Sequence, residues 1–237
     1  MNEDPIAGVL LIDKPLYHTS MSVCAKVRGK LRAGGAPKRI KVGHGGTLDP
    51  LATGLLVVMV GRATRLCQSV MDGTKVYHTS IDLSVSSPTQ DLESEPVAVV
   101  IEEAPTIERV RNALSEWVGT VAQLPPAHSA MRVGGRRAYE LAREGKPVPV
   151  EARPVRIDAI DILGYEWPML DLSITCGKGT YIRSLARDIG VSLQTGGMLR
   201  ALRRVRSGSY DVAQAIALGE LPDPLERETF EALSIAI

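Results

Sequence analysis

Aromatic side chains are scarce in this 237-residue chain: they make up 4% of it, with a single phenylalanine, Phe230. That scarcity argues against a surface built to stack a long run of nucleobases. The three cysteines, Cys24, Cys67 and Cys176, are scattered and odd in number, which excludes a disulfide framework and a zinc ligand set. The expected compartment is a reducing cytoplasm. No apolar run nears the length of a membrane span; Leu55 to Val60 is about a strand's worth. Met1 to Pro5 is polar and acidic and does not read as a secretory signal. The histidines, His18, His44, His78 and His128, show no ligand spacing, and no serine or cysteine has an evident adjacent base. Neither a metal site nor a nucleophile–histidine triad is indicated.

One further absence is local. From Lys14 to Leu48 there is no acidic residue, yet the stretch holds Lys14, Lys26, Arg28, Lys30, Arg32, Lys38, Arg39 and Lys41. A second basic segment carries Arg132, Arg136, Arg137, Arg143, Lys146, Arg153 and Arg156. A third carries Lys178, Arg183, Arg187, Arg200, Arg203, Arg204 and Arg206. The acids gather between Asp82 and Glu116 and between Asp211 and Glu231. The formal net charge of +1 therefore conceals a segregated distribution, which can present a positive face to a polyanion. Three separate solvated surfaces would satisfy the same pattern.

The periodicity predicts a mixed set of elements. Val9-Leu10-Leu11-Ile12 and Leu55 to Val60 read as buried strands. Thr19 or Ser20 can cap a helix with Val23, Val27 and Leu31 on one face, broken at Gly34-Gly35-Ala36-Pro37. Val76 to Leu83 alternates, with Tyr77, Thr79, Ile81 and Leu83 together. Thr106 can cap a helix presenting Ile107, Val110, Leu114 and Trp117. Residues 127–154 are basic, interrupted by glycine and proline, and read as an excursion with a short helix at Ala138 to Glu144. Val155 to Leu163 and Leu170 to Cys176 read as strands. A helix follows with Ile182, Leu185, Ile189 and Leu193 inward. Irregular mixing of strands and helices indicates α+β, read as a single domain over 1–237 that closes on a short acidic tail at 211–237.

Two segments could carry chemistry. Gly43-His44-Gly45-Gly46-Thr47-Leu48-Asp49-Pro50-Leu51-Ala52-Thr53-Gly54 sets one carboxylate in a glycine-rich loop beside a histidine. Asp49-Pro50 also fits a helix N-cap followed by proline at the first helical position. Gly177-Lys178-Gly179-Thr180 joins a strand to a helix whose N-terminus can hold a phosphate, with Lys178 adding charge. An ordinary tight connection fits it as well, and the glycine spacing matches no Walker pattern.

Taken in order along the chain, these segments resemble the tRNA pseudouridine synthase B family, which isomerises uridine at position 55 in the T-loop of tRNA. The loop at residues 43–54 looks like the family's catalytic motif. Gly8 to Pro15 resembles its opening strand and Lys75-Val76-Tyr77 its second motif. Ser129-Ala130-Met131 with Gly135-Arg136-Arg137-Ala138-Tyr139 resembles its RNA-gripping insertion, and Gly177 to Arg187 and Leu202-Arg203-Arg204 its last motifs. The match covers roughly residues 6–210.

The resemblance implies a largely antiparallel mixed sheet with helices around it and a basic central cleft. Asp49 is then the nucleophile, Arg183 its partner, and Tyr77 the ring against the flipped base and a candidate for late proton abstraction. His44 holds the T-loop or fills the space of the extruded nucleotide; Tyr181 and Leu202 line the uracil pocket, with Lys178 beside the substrate. Lys14, Arg132, Arg136, Arg137, Arg143, Arg203 and Arg204 contact RNA. An arginine close to Asp49 would favour the ionised form a nucleophile needs. A base hidden in a folded loop must be flipped into a pocket. Isomerisation requires neither redox nor an outside group, so no cofactor is expected, nor a metal, a membrane or a protein partner; the partner is the tRNA T-arm. The resemblance implies a single catalytic domain. The chain departs from the family at Tyr17, where glycine is usual, and in having too few residues after Tyr210 for the separate C-terminal RNA-binding domain that many bacterial members carry. The basic segments alone would equally serve a non-catalytic tRNA-refolding chaperone, and the same chemistry would serve pseudouridylation of another RNA.

Overall fold

The computed structural model describes residues 6–126, 132–133, 135–137, 144 and 151–236. In chain order the elements are β1 (Gly8–Lys14), α1 (Ser20–Ala33), β2 (Val42–His44), β3 (Ala52–Val60), α2 (Cys67–Asp72), β4 (Lys75–Asp82), β5 (Val85–Ser86), β6 (Val97–Ala98) and α3 (Ile107–Ser115). There follow β7 (Gly119–Gln123), β8 (Arg132–Val133), β9 (Arg136–Arg137), β10 (Arg153–Glu166), β11 (Met169–Cys176), α4 (Ile182–Leu193), β12 (Met198–Ser207), β13 (Tyr210–Asp211), β14 (Ile216–Ala217) and α5 (Arg227–Leu233). This is the expected α+β class, with mostly antiparallel pairing. Where the sequence predicts one domain, the chain divides into two compact units, Met1–Tyr77 with Arg203–Ile237, and His78–Leu202.

In the first unit the strand order is β14-β1-β3-β12, with β2 also on β3. β1 runs antiparallel to β3, pairing Ile12 with Leu56, and parallel to β14, pairing Ile12 with Ile216. Alternate residues of β1 and β3 enter opposite cores. Leu10, Ile12, Leu56, Val58 and Val60 pack with Val23, Val27 and Leu31 of α1, while Val9, Leu11, Leu55, Val57 and Met59 pack with Ala63. Burial on both faces explains why these strands read as unbroken apolar runs. Thr19 caps α1 as expected, its hydroxyl accepting the Ser22 N–H at 3.0 Å.

The C-terminal segment 211–237 departs from the expected tail. Its Leu218, Leu221, Leu225 and Phe230 join the α1 core, Phe230 without exposure, and Ile235 exchanges both backbone hydrogen bonds with Val9. Its acids lie on the outside of a packed segment.

In the second unit β10 and β11 form a long antiparallel pair, with Ile160 opposite Ile174, and β7 flanks β10. Leu170, Leu172, Ile174 and Cys176 of β11 are all buried, as the alternation predicts. Thr106 caps α3, which packs on α4 and β10. The inward face of α4 is the expected one: Ile182, Leu185, Ile189 and Leu193 are buried. All three cysteines are free thiols.

Candidate functional site

The glycine-rich loop of the first unit is fixed from several directions. Asp49 lies in a turn closed by the Ala52 N–H on the Asp49 carbonyl at 3.1 Å, and the chain passes straight from that turn into β3. Asp49 therefore caps no helix, contrary to that reading of Asp49-Pro50. The turn leads into a strand, so the local signal for a cap was present without the helix it would serve. The carboxylate-bearing residue is half-buried.

Its neighbours are held by buried polar groups. The Ser20 hydroxyl accepts the Leu48 N–H at 2.8 Å and donates to the Leu48 carbonyl at 3.1 Å. The Lys14 ammonium donates to the carbonyls of His18, at 2.8 Å, Pro15, at 3.0 Å, and Pro50, at 3.4 Å. The Tyr17 N–H donates to the same Pro50 carbonyl at 2.8 Å. Arg204 reaches the loop from β12, donating to the carbonyls of Leu55, at 2.8 Å, Gly46, at 3.2 Å, and Thr47, at 3.5 Å. Gly54 has a positive φ of 96°, and a Cβ there would lie 2.3 Å from the Arg204 carbonyl oxygen, so only glycine lets the two strands meet.

Lys14 and Arg204 were expected to contact RNA, and the structure turns both inward. Lys14 is 0% and Arg204 1% exposed. Each spends its donors on backbone carbonyls, which offsets part of the cost of burying a cation. Burial pushes the Lys14 ammonium down to about 8, with the Asp49 charge opposing that shift and Arg204 adding to it. His44 sits in β2 and pairs with Val58. Burial, and secondly the Arg204 charge, hold its imidazole below the usual histidine range, so it is neutral at physiological pH. Arg203 is half-exposed and makes a two-pronged pair with Asp13, at 2.7 and 3.0 Å. Tyr77, on β4, is half-buried and ends this unit. The first unit thus brings Asp49, Lys14 and Arg204 around one loop, with His44 under the influence of Arg204.

Arg183, Tyr181, Lys178 and Leu202 belong to the second unit. Arg183 opens α4 and is buried; it donates to the Thr89 carbonyl at 3.1 Å and lies 3.6 Å from the Asp91 carboxylate. Asp91 is a residue the sequence reading missed, since nothing in the spacing ties it to Arg183. Gln123 grips the peptide groups at Tyr181 with both ends of its amide, accepting the N–H at 2.8 Å and donating to the carbonyl at 3.2 Å. The Arg153 guanidinium stands 5.3 Å from the centre of the Tyr181 ring, at a cation–π distance. Lys178 is exposed in the turn before α4, and Leu202 is half-buried in β12. Of the expected gripping insertion, Arg143 lies outside the described residues. Arg132, Arg136 and Arg137 are described in backbone alone, where β8 and β9 pair antiparallel.

Known proteins match across this framework. The pattern of the TruB family pseudouridylate synthase N-terminal domain matches residues 35–182, and that of the tRNA pseudouridylate synthase B C-terminal domain matches residues 183–234. A tRNA pseudouridine synthase B of Parabacteroides distasonis is 43% identical over 94% of this chain and 96% of its own length. The chain belongs to the TruB family.

It is accordingly a pseudouridine synthase, an isomerase. The tRNA pseudouridine synthase B of Phocaeicola vulgatus is 40% identical over 94% of this chain and 95% of its own length. Among solved structures, a chain of a Cbf5-Nop10-Gar1 complex superposes with a TM-score of 0.70 at 27% identity, covering 95% of this chain but 59% of that one. The TruB C-terminal match takes in α4, β12 and the packed segment that the sequence reading treats as a tail. No helix among the described residues is long and apolar enough to cross a membrane.

Proposed function

We propose that this TruB-family chain converts the uridine at position 55 of the tRNA T-loop to pseudouridine, with Asp49 as nucleophile. The observation that carries the reading is the Asp49 turn, held by Ser20, Lys14 and Arg204, in a chain whose full-length relatives are tRNA pseudouridine synthases B. The reaction is balanced within the substrate. The glycosidic N1–C1′ bond breaks, the uracil turns, a C5–C1′ bond forms, and the C5 proton is released while N1 is protonated. Asp49 supplies the covalent step and recovers its carboxylate when the product forms. A rigid turn suits that task, because the attacking oxygen is positioned before the substrate arrives.

In this reading Arg183 pairs with Asp49, while Asp91 and Thr89 hold the guanidinium. Tyr77 packs on the flipped base and accepts the late proton through its hydroxyl. Tyr181 and Leu202 line the uracil pocket, neutral His44 occupies the space the nucleotide vacates, and Lys178 faces the incoming phosphates. Arg203 and the basic residues at 132–143 hold the T-arm. The reaction takes place in the cytoplasm and calls for no cofactor, metal or second protein.

The test is a T-arm transcript incubated with the purified chain or its Asp49→Asn variant, with pseudouridine quantified in the RNA. The proposal predicts conversion by the wild type and none by the variant. Undiminished conversion by the variant would remove Asp49 from the chemistry. If the variant instead supports tRNA maturation while the basic insertion is needed, the protein acts as a chaperone.

A further inference from the structure

Tyr17 combines features that ordinary surface residues lack. Its backbone is left-handed, with φ of 63°, in a region that glycine enters freely and a bulky side chain does not. Its side chain nevertheless gains no burial in return, because the residue is 79% exposed, the most exposed of the described aromatic residues. Its N–H is committed to the Pro50 carbonyl at 2.8 Å, which fixes the ring's starting point one residue from Asp49 along the opposing loop. The flank is cationic: the exposed Lys26 ammonium lies 2.9 Å from Nε2 of His18, the residue after Tyr17. No acid occurs between Lys14 and Leu48. A solvent-facing ring on a left-handed backbone, tied to the Asp49 turn and next to a positive charge, suits the two chemical faces of a nucleotide, the flat base and the phosphate.

We infer that Tyr17 is a stacking platform for an unpaired nucleobase of the RNA substrate, seated at the rim of the Asp49 turn, with Lys26 meeting that nucleotide's phosphate. The inference rests on the function proposed above and adds a contact that a glycine at this position would not make. The ring is the working part; the hydroxyl is not needed. A protein in which the tyrosine served only the loop's shape would be indifferent to its replacement by residues that adopt the left-handed conformation more readily.

Steady-state kinetics on a T-arm transcript with Tyr17→Gly, Tyr17→Asn and Tyr17→Phe test this. Glycine and asparagine fit the observed φ and remove the ring, so both variants melt at or above the wild-type temperature. Their KM rises roughly five- to a hundredfold, the size of one lost base–aromatic stack, and the loss falls on KM rather than kcat. Tyr17→Phe keeps the wild-type KM. Unchanged KM in Tyr17→Gly overturns the inference, as does a Tyr17→Phe variant that behaves like Tyr17→Gly. A KM rise that comes with a fall in melting temperature overturns it too, by assigning the loss to misfolding. If the wild type leaves the transcript unmodified, the function proposed above fails; if the wild type modifies it and Tyr17→Gly matches the wild type, only the role of Tyr17 fails.

Discussion

Ser20 and Leu48 satisfy one another completely: one buried hydroxyl takes the Leu48 N–H and donates to the Leu48 carbonyl. The pair ties the start of α1 to the residue before Asp49. Removing the hydroxyl strands a buried peptide group, so Ser20→Ala is expected to lose about 1–3 kcal/mol of stability in urea unfolding. Its kcat should fall as well, since the turn loses one of its anchors. A variant with wild-type stability and turnover would show that the turn is held without the Ser20 hydroxyl.

The buried Lys14 gives a pH dependence whose sign is fixed. Its ordinary value is 10.5 and burial lowers it to about 8. Between those values the unfolded chain holds a proton that the folded chain has released, so this group's contribution to stability rises with pH from about 8 to 10.5. Melting temperatures of the wild type and Lys14→Met, followed across that window, should move in favour of the wild type as pH rises. Parallel curves would mean that Lys14 does not titrate there.

Asp91 is expected to matter through Arg183. Asp91→Asn removes one charged partner of a buried guanidinium, so stability should drop by roughly 3 kcal/mol. A guanidinium displaced by about an ångström should lower kcat by roughly ten- to a hundredfold. Turnover within twofold of the wild type, with the fold intact, would show that Arg183 is positioned without Asp91.

These residues also show where sequence was informative. The caps at Thr19 and Thr106, the two-sided strands β1 and β3, and the inner face of α4 follow from local pattern, because cap chemistry and apolar spacing act within a few residues. Lys14 and Arg204 were expected to contact RNA; their burial depends on carbonyls brought from distant parts of the chain, which no local pattern announces. The core residues Leu218, Leu221, Leu225 and Phe230 are spaced too irregularly among acids to announce a packed segment. Asp91 meets Arg183 only through the fold of its own unit.

Binding should be strongly salt-dependent. Phosphate contacts by Lys and Arg release condensed counterions, so the logarithm of the T-arm binding constant should fall linearly with the logarithm of salt concentration, with a slope of roughly −0.7 to −0.9 per phosphate neutralised. A flat response in filter binding between low and high salt would contradict a phosphate-held complex. Activity should also be unchanged by EDTA.

The central claim, that Asp49 of this chain makes pseudouridine in the T-loop, is tested most directly by mapping pseudouridine in total RNA. The RNA is taken from cells that carry the wild-type chain, the Asp49→Asn variant, or neither. Pseudouridine at tRNA position 55 with the wild type alone is the predicted result. The same modification with Asp49→Asn, or its presence in cells with neither form, would contradict the claim.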